Sequence, residues 1–199
     1  MAALKTREIL VDVARQLFAK MGVGKTTMND IAQASRKGRR TLYTYFKSKN
    51  DIYLAVIESE LEQLQQSLFR VGEKELEPVE KLKSFIFTRL DAVKEAVRRN
   101  GNLQADFFQD VSRVEKVRKK FDLKEIQIIK KILHEGVQKK IFRLFDIDVS
   151  ALTLHYALKG IEIPYIKGVF DGKAAQDRIQ QRNEIVNILL HGIKNDGKP

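Results

Sequence analysis

Apolar side chains recur along this chain with a helical period. Ile9, Leu10, Val13, Ala14, Leu17, Phe18 and Met21 follow an i, i+1, i+4, i+5, i+8 pattern, which sets them on one stripe of an amphipathic helix. Gly22 and Gly24 stop that helix. Thr27 then stands as the N-cap of a short second helix, with Asp30 as its capping-box partner and a negative charge in the first turn. Ile31 and Ala32 face inward. The chain turns around Gly38, and in a third short helix Leu42 and Phe46 share a buried side because they stand one turn apart. Arg39, Arg40, Thr41, Tyr43 and Tyr45 are left to point outward.

The same period continues downstream. A long helix is predicted from about Lys49 to Arg70 on Ile52, Val56, Leu61, Leu64 and Leu68, and Gly72 with an acidic run interrupts it. Pro78 suits the first turn of the next helix, whose apolar set is Leu82, Phe85, Ile86, Leu90 and Val93 and whose stop signal is Asn100 with Gly101. Further helices are predicted around 103–111, 123–140, 149–170 and 174–193. Few stretches alternate apolar with polar as half-buried strands do. The fold class is therefore all-α, with about nine helices in total. A three-helix N-terminal domain at 1–50 joins a larger helical domain at 51–199, and the boundary falls inside or just before a helix.

Composition narrows the function. With 199 residues and 43% apolar content the chain can bury a core, as one domain or as a small domain joined to a larger one. It has no cysteine, which excludes disulfides, thiolate chemistry and zinc sites of the finger or ribbon type. No apolar stretch approaches the roughly 20 residues of a membrane span. Lys5, Arg7, Glu8 and Asp12 break up the first segment, so the sequence reads as a soluble, unprocessed, cytoplasmic protein. The formal charge of +11 is unevenly spread: residues 1–50 hold eleven Lys and Arg against three acids, while the other 149 residues hold 26 against 23. A polyanion-facing surface therefore belongs to the first quarter.

Three helices in that quarter, the last two short and separated by a four-residue turn, have helix-turn-helix anatomy. The turn and third helix carry Arg36, Lys37, Arg39 and Arg40, a hydroxyl at Thr41, and Tyr43 and Tyr45. These are the donors that phosphates and guanine edges accept from. A helical adaptor that binds acidic partners or an anionic membrane surface would share the charge asymmetry, but it would bind any polyanion equally.

Across about residues 7–57 the sequence resembles the tetracycline-repressor-like (TetR) family of bacterial regulators. Thr26, Thr27, Ile31 and Ala32 carry the resemblance, followed by Thr41, Leu42, Tyr43, Tyr45, Phe46, Lys47, Ser48 and Lys49, then Ile52 and Leu54. It implies that Thr27 contacts a phosphate, that Arg39, Arg40, Thr41 and Tyr43 enter or flank the major groove, and that Tyr45, Lys47 and Lys49 grip the DNA backbone. The turn departs from the family habit: it reads Ser35, Arg36, Lys37, Gly38, and Arg40 stands where a small residue is common.

In the larger domain, Ile185, Val186, Leu189, Leu190 and Ile193 form a stripe that is a candidate dimer interface. The resemblance implies the same, with the last two helices pairing with their copies about a two-fold axis. It also implies a small-molecule cavity among the central helices, for which Phe85, Leu90, Phe107, Phe108, Leu133, His134, His155 and Tyr156 are candidates. His134, His155 and His191 lack metal-ligand spacing, and no metal or other cofactor is expected. Gly22, Gly24, Lys25 and Thr26 look like the end of a phosphate-binding loop. The motif's first glycine is replaced by Ala19, however, and a helix stands where a strand is needed. With no nucleophile elbow and no catalytic carboxylate pair, the chain is expected not to be an enzyme. The expected partners are double-stranded DNA, a second copy of the chain and a small-molecule effector, and no membrane.

Overall fold

The computed structural model describes residues 2–100, 111–170 and 175–191. Among the described residues there are eight helices and no strand: α1 (Ala2–Met21), α2 (Met28–Ala34), α3 (Arg39–Tyr45), α4 (Lys49–Gly72), α5 (Pro78–Asn100), α6 (Val111–Gln138), α7 (Ile147–Ile166) and α8 (Ala175–His191). The short helix expected around 103–111 lies outside the described residues. α6 begins twelve residues before the expected Leu123, because no glycine or proline breaks the intervening charged stretch. α7 begins at Ile147 because Asp146 caps it, its carboxylate accepting from the backbone of Asp148 at 2.8 Å and Val149 at 3.0 Å.

By packing, the chain divides into two compact units, Met1–Gln63 with Glu95–Lys120, and Leu64–Lys94 with Phe121–Pro199. The first is built on the apolar stripes of the N-terminal helices. Leu10, Ala14 and Phe18 of α1, Ile31 and Ala32 of α2, Leu42 of α3 and Ile52 and Val56 of α4 are buried together, with Phe46 closing the set. Phe18 and Tyr53 meet edge to face at 6.3 Å, and the Arg7 guanidinium lies over the Phe46 ring.

The second unit buries Leu82, Phe85, Ile86 and Leu90 of α5 against Ile126, Ile129, Ile132 and Leu133 of α6, Ala151, Leu154 and Leu158 of α7, and Val186 and Leu190 of α8. The end of α6 shows how one residue decides a local path. Lys140 adopts φ 58°, the left-handed conformation that ends helices, and the amides of Ile141 and Phe142 both donate to the carbonyl of Gly136, at 2.8 and 3.1 Å. The reversal lays the buried Phe142 ring directly on Gly136, where an added Cβ would come within 2.0 Å of the ring. Gly136→Ala should therefore expel the ring and cost about 2–3 kcal/mol despite the better helix propensity of alanine. Urea denaturation of the two proteins checks it, and equal midpoints would show that Phe142 does not need the glycine.

Candidate nucleic-acid interface and effector region

The helix-turn-helix is assembled by short-range hydrogen bonds whose partners are already close in sequence. At the start of α2, the Thr27 hydroxyl accepts from the Asp30 amide at 3.2 Å and the Asp30 carboxylate accepts from the Thr27 amide at 2.8 Å, the reciprocal bonds of a capping box. The Thr27 hydroxyl, and then its backbone N–H, hold the Asp30 carboxyl below its ordinary range. The buried Thr26 hydroxyl donates to the Gly22 carbonyl at 2.8 Å. From the other side the Lys49 ammonium donates to the carbonyls of Val23 at 2.6 Å and Gly24 at 3.0 Å, so the loop before α2 is tied at both edges.

The turn between α2 and α3 is a Schellman ending. The Lys37 amide donates to Ala32 and the Arg36 amide to Gln33, both at 3.1 Å, with Arg36 in the left-handed region at φ 54°. Gly38, expected to make the turn, is instead extended at φ −61° and stands as the N-cap of α3. The conformation that glycine adopts most easily has been given to an arginine, which lifts an exposed guanidinium at the tip of the turn.

On α3, Leu42 and Phe46 are buried as expected. Arg39, Arg40 and Tyr43 are exposed and Thr41 is half-buried, as is Tyr45, which packs its ring against the core where it was expected to face outward. Thr27, Arg36 and Lys47 are exposed, and Lys37 and Lys49 are half-buried. The structure thus gathers Arg36, Arg39, Arg40 and Tyr43 on exposed positions of the turn and α3, with no acidic side chain among residues 31–50. Such a surface can donate to phosphates and to base edges.

In the second unit, Phe85, Leu90 and Leu133 are core side chains and His155 is fully buried, whereas His134 and Tyr156 are exposed. Phe107 and Phe108 lie outside the described residues. The unexpected feature beside His155 is a buried ion cluster. Arg89 is 0% exposed; its Nε donates to Glu125 Oε1 at 2.6 Å and its Nη2 lies 2.9 Å from Glu162 Oε1. His155 Nδ1 lies 3.1 Å from the same oxygen of Glu125, and Lys159 Nζ donates to Asp122 at 2.8 Å. Burial pushes the Glu125 carboxyl up, but the charge of Arg89 and the bonds and charge of His155 outweigh it, and Glu125 is held below its ordinary value. The signal in the sequence was Arg89 one turn after Phe85 and three residues after Ile86, a charge on the apolar stripe of α5.

The candidate dimer stripe divides in two. Val186 and Leu190 are buried in the core of the unit itself, Ile185 and Leu189 are half-buried, and Ile193 lies outside the described residues. Among the described residues of α7 and α8, the large apolar residues left on the surface are Ile188 of α8, 67% exposed, and a stripe of α7 formed by Val149, Leu152, Tyr156 and Ile163 at coiled-coil spacing.

Residues 10–56, which span the helix-turn-helix, match the family model described as bacterial regulatory proteins, tetR family. The likeness to this family rests on that segment. It is 27% identical to the probable acrEF/envCD operon repressor of Escherichia coli, over 94% of this chain and 86% of that one. A transcriptional regulator from Cytophaga hutchinsonii superposes with a TM-score of 0.75 at 25% identity, covering 94% of this chain and 98% of that one. SmeT in complex with triclosan shares the fold with a TM-score of 0.69 at 18% identity, covering 97% and 93% of the two chains. The proteins that this chain is similar to are transcriptional regulators and not enzymes, and the family-model match covers the helix-turn-helix. Among the described residues no helix is long and apolar enough to cross a membrane.

The lowered Glu125 carboxyl links the second unit to pH. Its contribution to stability is complete above the ordinary value of 4.5 and is lost as pH falls through the lower folded value. The melting temperature should drop from about pH 5 towards pH 3, and Glu125→Gln, already less stable at neutral pH, should show a shallower drop. Parallel acid profiles for the two proteins in thermal melts would remove Glu125 from the titration.

Proposed function

We propose that this chain is a repressor that binds a palindromic DNA operator as a homodimer and is released when a small-molecule effector enters its larger domain. The observation that carries the DNA half is the outward face of the turn and α3, where Arg36, Arg39, Arg40 and Tyr43 are exposed over a buried Leu42 and Phe46. Residues 1–50 act as the DNA-binding domain and 51–199 as the ligand-binding and dimerisation domain. Arg39, Arg40, Thr41 and Tyr43 read or flank the major groove. Thr27, Arg36, Lys37, Tyr45 and Lys47 hold phosphates, and Lys49 adds its charge while fastening the loop before α2. A protein with this task works in the cytoplasm.

Dimerisation is assigned to the last two helices. The exposed apolar residues Val149, Leu152, Tyr156 and Ile163 of α7 and Ile188 of α8 support it, with Ile185 and Leu189 at the edge. A two-fold axis presents two α3 helices to two half-sites, which is why the operator is palindromic. The effector is a small, apolar or amphipathic molecule, and the triclosan complex of SmeT supports such a ligand class in this fold. Binding releases DNA if the ligand favours a state in which the two α3 helices no longer match the half-sites.

Selection of bound duplexes from a random pool, repeated in increasing salt, tests the DNA half. The expected result is one enriched palindrome with steep salt dependence. Binding without sequence preference would favour the polyanion-binding adaptor instead. On the selected operator, Arg39→Ala and Tyr43→Ala should each cost about 1–3 kcal/mol by titration, and unchanged affinity in both would take α3 out of the groove. Ile163→Glu should convert the dimer to monomer in sedimentation and weaken operator binding; a dimer that survives it places the interface elsewhere.

A further inference from the structure

The ion cluster of the second unit leaves three buried nitrogen atoms without hydrogen-bond partners: Arg89 Nη1, Arg89 Nη2, which is within ion-pair range of Glu162 at 2.9 Å, and His155 Nε2. Both side chains are 0% exposed and both are held from their other ends by one oxygen, Glu125 Oε1, at 2.6 Å from Arg89 Nε and 3.1 Å from His155 Nδ1. The remaining carboxylates do not reach Nη1 or Nε2. Glu162 faces Arg89 Nη2, and Asp122 lies 3.8 Å from His155 Nε2, beyond hydrogen-bond range, while accepting from Lys159. A buried donor without an acceptor is a standing cost that native cores almost always avoid. Phe85, Ile129 and Leu158 are buried one helical turn from Arg89, Glu125 and Glu162 respectively, so the faces that carry the cluster are otherwise committed to the apolar core.

We propose that Arg89 and His155 are the polar anchor of the effector site, and that the effector is a neutral apolar molecule bearing a hydroxyl group. The inference rests on the ligand-responsive reading above. The ligand class follows from Arg89 Nη1, His155 Nε2 and the charges around them. Nη1 offers only donors, and Nε2 accepts or donates according to the protons the imidazole carries. A hydroxyl accepts from Nη1 and can either give its proton to Nε2 or accept from it, so one group satisfies both. A carboxylate is disfavoured because it would add a fourth negative charge beside Glu125, Glu162 and Asp122. An ammonium is disfavoured because it would meet the guanidinium. Both atoms are shut off in this conformation, so binding requires the surrounding side chains to part. The hydrogen bonds gained on binding favour that opened state, which makes the site a two-state element able to bias DNA binding.

Three probes of one size test this on the full chain: para-butylphenol, para-butylanisole and para-butylbenzoate, by calorimetric titration. The phenol should bind at least about tenfold more tightly than either other probe, since only it supplies acceptor and donor without charge. Arg89→Lys keeps a cation between Glu125 and Glu162 but has a single terminal nitrogen, and should abolish that preference. His155→Phe, which keeps the ring volume, should do the same, and circular dichroism establishes that each variant is folded. Equal binding of phenol and anisole, tighter binding of the benzoate, no binding of any probe, or a preference that survives both substitutions would each overturn the proposal. The effector reading itself is tested separately, by screening a broad small-molecule collection for displacement of the operator duplex. Displacement by molecules without a hydroxyl would preserve that reading while ending this one, and displacement by none would end the reading itself.

Discussion

The burial of Leu42 and Phe46 is the constraint on which the basic outer surface of the helix-turn-helix depends. Each side chain is worth about 1.5–3 kcal/mol when taken from water into the core, far more than any exposed contact of α3. Their one-turn spacing fixes the rotation of α3 about its axis, and with it the set of side chains that faces out. Arg39, Arg40 and Tyr43 are exposed because the opposite side of a seven-residue helix is committed to the buried cluster that also holds Ile31, Phe18 and Val56. The hydrogen bonds of Thr26, Thr27 and Lys49 then hold α2 and its preceding loop so that this packing is reached in one arrangement.

Charge is handled differently in the two units. In the helix-turn-helix the basic side chains stay in water, where mutual repulsion is screened and a polyanion can discharge them. In the second unit an arginine is taken out of water entirely, and the carboxylates of Glu125 and Glu162 accompany it. A buried ion cluster of this kind contributes little net stability compared with apolar packing of the same volume. Its presence in the middle of an otherwise apolar core therefore points to a role in recognition, as does the failure of its own members to satisfy Arg89 Nη1 and His155 Nε2.

The surface of α7 and α8 separates two kinds of apolar residue that look alike in sequence. Val186 and Leu190 complete the core of one chain, while Val149, Leu152, Tyr156, Ile163 and Ile188 remain outside it. A helix that is apolar on two sides satisfies one within the unit and leaves the other exposed.

What the sequence determined by itself was local and periodic. The stripes of α1 to α5, the capping box of Thr27 and Asp30 and the inward placement of Leu42 and Phe46 depend on neighbours within one or two helical turns, so residue spacing suffices to read them. The charge asymmetry needed only counting. The features that spacing did not reveal depend on contacts between residues far apart in the chain, or on backbone conformation. Arg89, Glu125, His155 and Glu162 come from three helices and show no motif. The left-handed turn falls on Arg36 because the hydrogen bonds back to Ala32 and Gln33 require it there, although Gly38 stood nearby. Which face of α8 is spent on the unit's own core, and which of α7 is left exposed, was decided by tertiary packing alone, because an apolar side chain carries no mark of the neighbour that will cover it.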